Sequence, residues 1–138
     1  MTLLTRLSKV VHRRSTEALL GMRMRQFHLL SYLRDHEGAS QQALADILWM
    51  DANNLVLLLN DLEAAGFVMR RRDPHDRRRH LVELTPGGHQ AVERAERAQE
   101  SVEDEVLAAL TAEERAALRD LLSRALEGEP AAIPPPAD

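Results

Sequence analysis

The densest chemistry in this sequence is cationic. Arg70, Arg71, Arg72, Arg77, Arg78 and Arg79 fall within ten residues, opposed there only by Asp73 and Asp76. A guanidinium stays charged at physiological pH and presents a planar fork of N–H donors, so arginines this concentrated suit a polyanion such as the backbone of double-stranded DNA. Asp76, beside Arg77 and Arg78, is placed to orient a guanidinium through a charge-assisted bond, and Asp73 stands with Pro74 at a turn. Arg70, Arg72, Arg77, Arg78 and Arg79 are therefore candidate DNA contacts. The plainer alternative is a floppy loop in which the two aspartates only neutralise charge.

A second constellation lies just upstream, in Asn53, Asn54, Val56, Leu57 and Asn60. At 100° per residue, Leu55, Leu58, Leu59 and Leu62 fall on one side of a helix, and Asn53, Val56, Leu57 and Asn60 on the other. Asparagine can bond adenine through two atoms, and Val or Leu can touch a thymine methyl, so this outward face suits an A·T-leaning site. The rival reading is that the face packs against protein, leaving DNA binding weak or dominated by the arginines.

Other chemistries find little support. The net charge is −4, and residues 91–138 hold twelve carboxylates and five arginines, so the basic segment is a local patch on an acidic chain. It is the patch that phosphate senses. There is no cysteine, which removes thiolate nucleophiles, disulfides and thiolate metal sites. A Gly-rich phosphate loop and a clustered acid–base set are also missing, so neither an enzyme nor a cofactor is expected. The six histidines include no pair spaced three or four residues apart, so no metal site is expected. Met24, Met50 and Met69 are expected to fill gaps in the core, and Trp49 to lie in the core rather than to wall a pocket. The longest apolar run, residues 55–59, is far too short to span a bilayer, and the N-terminus shows no export pattern. A soluble, cytoplasmic protein without a membrane partner is expected.

Periodicity locates the elements that hold these groups. With only 3% aromatic residues, core volume must come from Leu, Val and Ala, which favours helices. Apolar steps of three and four predict a first helix over about residues 3–19. A second opens at Met24 and runs to the turn at 35–38. A short third helix is capped by Ser40, and a fourth, capped by Asp51, ends at Gly66. The segments 67–69 and 81–85 read as short strands of a hairpin with a basic tip. Thr85-Pro86 opens a long helix, and Thr111 with Glu114 forms a capping box for the last one.

Two short helices followed by a basic hairpin form a helix-turn-helix with a wing, in which one helix reads bases and the hairpin reaches the backbone or minor groove. The run Leu62-Glu63-Ala64-Ala65-Gly66-Phe67-Val68, then Arg70, Asp73-Pro74-His75-Asp76-Arg77-Arg78 and Leu81-Val82-Glu83-Leu84-Thr85-Pro86-Gly87-Gly88 resembles the MarR (multiple antibiotic resistance regulator) family pattern. The resemblance is close from Met24 to Gly88. It departs at Val56 and Leu57, where family members usually carry Ser, Thr or Arg. It implies a mainly α fold with a small β-hairpin wing, a winged helix-turn-helix whose N- and C-terminal helices dimerise. In function it implies a cytoplasmic homodimeric repressor, responsive to a small-molecule effector and bound to a pseudo-palindromic operator. Residues 1–127 are expected to form one domain, with dimerisation helices at 3–19 and 86–126 and the DNA-binding part at 24–85. Residues 128–138 are expected to be a disordered tail. The alternative is a helical dimeric protein–protein interaction module. The effector-binding residues are not legible.

Overall fold

The structure is a computed structural model that describes residues 1–129. Thr2 caps α1 (Leu3–Arg14) by accepting the Thr5 N–H. The single helix expected over 3–19 is instead two. The Ser15 hydroxyl turns back to donate to the Val11 carbonyl at 2.8 Å, and Thr16 caps a separate short helix, α2 (Glu17–Leu20). Serine and threonine side chains that bond nearby backbone compete with continued helix, which is why the apolar period runs on while the helix stops. Gly21, at φ +77, closes α2 in the left-handed region.

Next come α3 (Met24–His36), the two-residue strand β1 (Ala39–Ser40), α4 (Gln41–Leu48) and α5 (Ala52–Ala64). Ser40 and Asp51 accept the Ala43 and Asn54 N–H groups at 3.1 and 2.7 Å, starting α4 and α5 at the expected caps. Then follow β2 (Val68–Arg72), β3 (His80–Leu84), α6 (Pro86–Val106) and α7 (Ala112–Leu126). Thr111 and Glu114 close the capping box at the head of α7. Gly128 and Glu129 follow α7, and the remainder of the expected tail, 130–138, lies outside the described residues.

The three strands form one antiparallel sheet in the order β1-β3-β2, with Val68 opposite Leu84, Arg72 opposite His80, and Ala39 opposite Val82. β2 runs further than the apolar pattern 67–69 predicts, through Arg70 to Arg72, because these residues pair with Val82, Leu81 and His80 of β3; Arg70 and Arg71 also find carboxylate partners. The fold is mainly helical with a small antiparallel sheet as its wing, as expected from the sequence.

Leucines from α3, α4 and α5 meet Val82 of β3 and Val92 of α6 to form the fully buried centre. Ala91, Val92 and Ala95 use the apolar stripe of α6 for this core. α1 and α7 bury no residue of their own. Trp49, expected inside, is 59% exposed. It ends α4 at φ 52, and this left-handed cap turns the indole away from the helix packing. Met69 is likewise exposed on the wing rather than filling a gap.

Candidate nucleic-acid interface

α4 and α5 are joined by the turn at 49–51, and α5 lays Leu55, Leu58, Leu59 and Leu62 into the core. Its opposite face presents Asn53, Asn60, Val56 at 36% exposure and Leu57 at 61%. The asparagines differ in what they can still bond. Asn54 Nδ2 donates to Asp51 Oδ2 at 3.0 Å, which adds a side-chain bond to the helix cap. Asn60 Oδ1 accepts from Arg70 Nη2 at 2.7 Å, while Arg70 Nε donates to Glu63 Oε2 at 3.0 Å. Arg70 therefore buckles β2 onto the end of α5. Hydrogen bonding to that guanidinium, with its charge, holds the Glu63 carboxyl below the usual range. Asn53 makes no side-chain hydrogen bond among the described residues.

The wing divides in the same way. Arg71 donates to Glu83 Oε1 from Nε at 2.9 Å and from Nη2 at 2.6 Å, across the hairpin. Arg72, Arg77 and Arg79 make no ion pair among the described residues. The Arg78 side chain is 96% exposed, and its Nε stands 3.9 Å from Asp76 Oδ1. The two aspartates act mainly on backbone. Asp73 Oδ1 accepts the His75 N–H at 2.8 Å, Asp76 Oδ1 accepts the Arg78 N–H at 3.1 Å, and the Asp76 carbonyl accepts the Arg79 N–H at 2.9 Å. These bonds shape the tip that displays the arginines. Arg78 and Arg79 share a cleft of about 470 Å³ with Ser40, Gln42, Ala45 and Ala52, so the wing lies beside the start of both helices.

A second cavity, about 580 Å³, opens between α1, α3, α6 and α7, where His12, Phe27, His28, Gln99, Glu103 and Arg119 meet a leucine-rich wall. Sequence reasoning missed it, since its lining comes from four separate helices. Gln99 Oε1 is buried there without a hydrogen-bond partner. Burial, with a smaller contribution from His12, holds His28 below its ordinary value of 6.5. A histidine whose folded pKa is lowered contributes stability above about pH 6.5 and loses it as pH falls through the folded value. Acidification from about pH 7.5 to 5.5 should therefore lower the urea midpoint less in His28→Gln than in the unaltered chain. Equal pH dependence in the two would show that His28 is not responsible. Among the described residues no three His, Asp or Glu side chains gather as a metal site, and no helix is long and apolar enough to cross a membrane.

A core-bound helix pair with one face turned outward, followed by an arginine-tipped antiparallel hairpin, defines a winged helix-turn-helix protein. The family model for MarR proteins matches residues 22–80. The wild-type MarR of Escherichia coli, in its apo form, superposes with a TM-score of 0.79 at 30% identity, over 90% of this chain and 93% of that one. A MarR variant from the same organism, complexed with operator DNA, gives 0.69 at 30% identity over 90% and 91%. Transcriptional regulator HosA of Escherichia coli is 30% identical over 72% of this chain and 73% of its own. The chain belongs to the MarR family of winged helix-turn-helix transcriptional regulators, which are not enzymes. The HTH-type transcriptional regulator YdgJ of Bacillus subtilis is 36% identical over 78% of this chain. The matched stretches span 66% of YdgJ and 59% of a Thauera aromatica relative.

Proposed function

We propose that the chain is a sequence-specific DNA-binding transcriptional regulator, a homodimeric repressor that holds a pseudo-palindromic operator and releases or re-poses on it when a small molecule binds. Residues 1–127 would form one domain in which 24–85 carry the DNA contacts. The observation that carries the reading is the wing, where Arg72, Arg77, Arg78 and Arg79 stay outside strong ion pairs while Arg78 and Arg79 border the helix pair. Guanidiniums so displayed neutralise phosphates, and the adjacent outward face of α5 reaches base edges. Asn53, Val56 and Leu57 would touch bases. Asn54, Asn60, Arg70, Asp73 and Asp76 hold the frame. The cavity between α1, α3, α6 and α7 is the effector site that suits this reading, with the Gln99 oxygen open to a donor. A gel shift over fragments of the source genome is the direct test. A few fragments retarded at nanomolar protein, and most only at micromolar, is the expected result. Equal retardation of all fragments, or of none, would sink it.

The dimer rests on α1 and α7, whose Leu3, Leu4, Leu121 and Leu126 are left facing solvent in the protomer, Leu126 at 66%. Apolar surface concentrated at the helical end marks an interface. Light scattering at micromolar concentration should give twice the protomer mass, and Leu3→Glu with Leu126→Glu should halve it. A monomeric unaltered chain would contradict the arrangement.

A further inference from the structure

The outward face of α5 carries a base preference as well as a place for DNA, an inference that rests on the DNA-binding reading. Of the three asparagines on or beside it, Asn54 is engaged by Asp51 and Asn60 by Arg70, which leaves Asn53 with its amide available. The rest of the face is hydrocarbon, Val56 and the more exposed Leu57. Guanine in the major groove is best read by an arginine or lysine fork, and cytosine by a carboxylate. Neither is on offer here. The flanking carboxylates are held, Asp61 by Arg23 at 3.3 Å and Glu63 by Arg70 at 3.0 Å. Adenine offers the acceptor and donor that a carboxamide matches, and thymine offers a methyl group.

We propose that α5 selects A·T base pairs, with Asn53 reading an adenine edge and Val56 and Leu57 enclosing the methyl groups of neighbouring thymines. Asn53 and Leu57 are separated by about 6 Å along the helix axis, close to two base-pair steps of about 3.4 Å. Charge complementarity argues for a polyanion on this face rather than an apolar protein partner. The wing beside it displays cations, and no unpaired carboxylate stands between Asn53 and Asn60 on the outward side.

The test uses the full chain and duplexes selected by it from a randomised library. Enriched half-sites should carry A·T pairs opposite α5. Replacing a thymine there by deoxyuridine removes one methyl and should weaken binding about fourfold per half-site, the worth of one buried methyl. Leu57→Ala should bind more weakly and lose that sensitivity. Asn53→Ala should lose on the order of tenfold or more on the selected duplex and little on random DNA. Both positions are exposed, so melting temperature checks that each variant folds. Indifference to uracil at every position, or G·C pairs opposite α5, would overturn the inference while leaving the wing's phosphate binding intact. If every duplex is bound alike, base reading fails altogether. If none is bound, or the face captures only protein, the DNA-binding proposal itself falls, and this one with it.

Discussion

Replacing Arg78 and Arg79 together by alanine should weaken binding to every duplex, cognate or random, by two to three orders of magnitude at about 0.15 M salt. Each phosphate contact adds about 0.9 to the slope of log affinity against log salt, and the proposed dimer would lose four such contacts, so the slope should fall by about 3 to 4. The size of the effect comes from where the cations stand. Arg70 and Arg71 are tied to Glu63 and Glu83, so on the DNA-binding proposal phosphate neutralisation by the wing would fall to Arg72, Arg77, Arg78 and Arg79. α5 adds no cation of its own. Stability should hardly change, because Arg78 is held only by a long pair to Asp76 and exposed pairs contribute little. Fluorescence anisotropy across a salt series measures the slope. An unchanged slope would place the phosphate contacts elsewhere.

Gly88→Ala should destabilise the fold by about 3 kcal/mol or more, at or above the upper end for overpacking. Gly88 sits in the first turn of α6, where Thr85 ties the helix start to the turn that precedes β2. Its hydroxyl donates to the Gly66 carbonyl at 2.5 Å, and its N–H donates to the Phe67 carbonyl at 3.1 Å. A Cβ on Gly88 would lie well inside the envelope of the Phe67 carbonyl oxygen and 3.0 Å from Leu84 Cδ2. Backbone cannot step aside as a side chain can. The ordinary gain of about 1 kcal/mol for alanine over glycine in a helix is too small to offset this. Gly87→Ala is the control, since the nearest atom to its Cβ would be the Gly66 oxygen at 3.3 Å. Urea unfolding of both decides. Equal stabilities would mean that the close packing of α6 on the Phe67 backbone is not rigid.

Much of the frame was legible because it depends on local signals. The leucines 55, 58, 59 and 62 recur at helical spacing and are buried together, and Ser40, Asp51, Thr85 and Thr111 cap the helices expected of them. The break at Ser15 was hidden because the apolar steps continue across it. β1 was hidden because two residues are too few to show alternation, and its strand character comes from pairing with β3. Trp49 misled because an indole suggests core, whereas a left-handed cap decides its direction.

The candidate site was legible in composition but not in pairing. That six arginines crowd the wing is visible in the sequence. That Arg70 joins Asn60 and Glu63 while Arg71 joins Glu83 depends on contacts seven to twelve residues apart across α5 and the hairpin. Those contacts separate the arginines that build the wing from those that the proposal assigns to phosphate. The cavity with His28 and Gln99 needed four helices to be brought together, and no local pattern announces it.

The absence of cysteine allows the joint role of α5 and the wing to be tested directly. Single substitutions Leu57→Cys, Arg77→Cys and Asp120→Cys, each carrying an iron-chelate cleavage reagent, would report which surfaces lie against a selected duplex. The expected result is strand cleavage from positions 57 and 77, centred within the same half-site, and none from position 120 on α7. Cleavage from position 120, or silence from 57 and 77 while the duplex stays bound, would contradict the assignment of α5 and the wing as the DNA-binding surface.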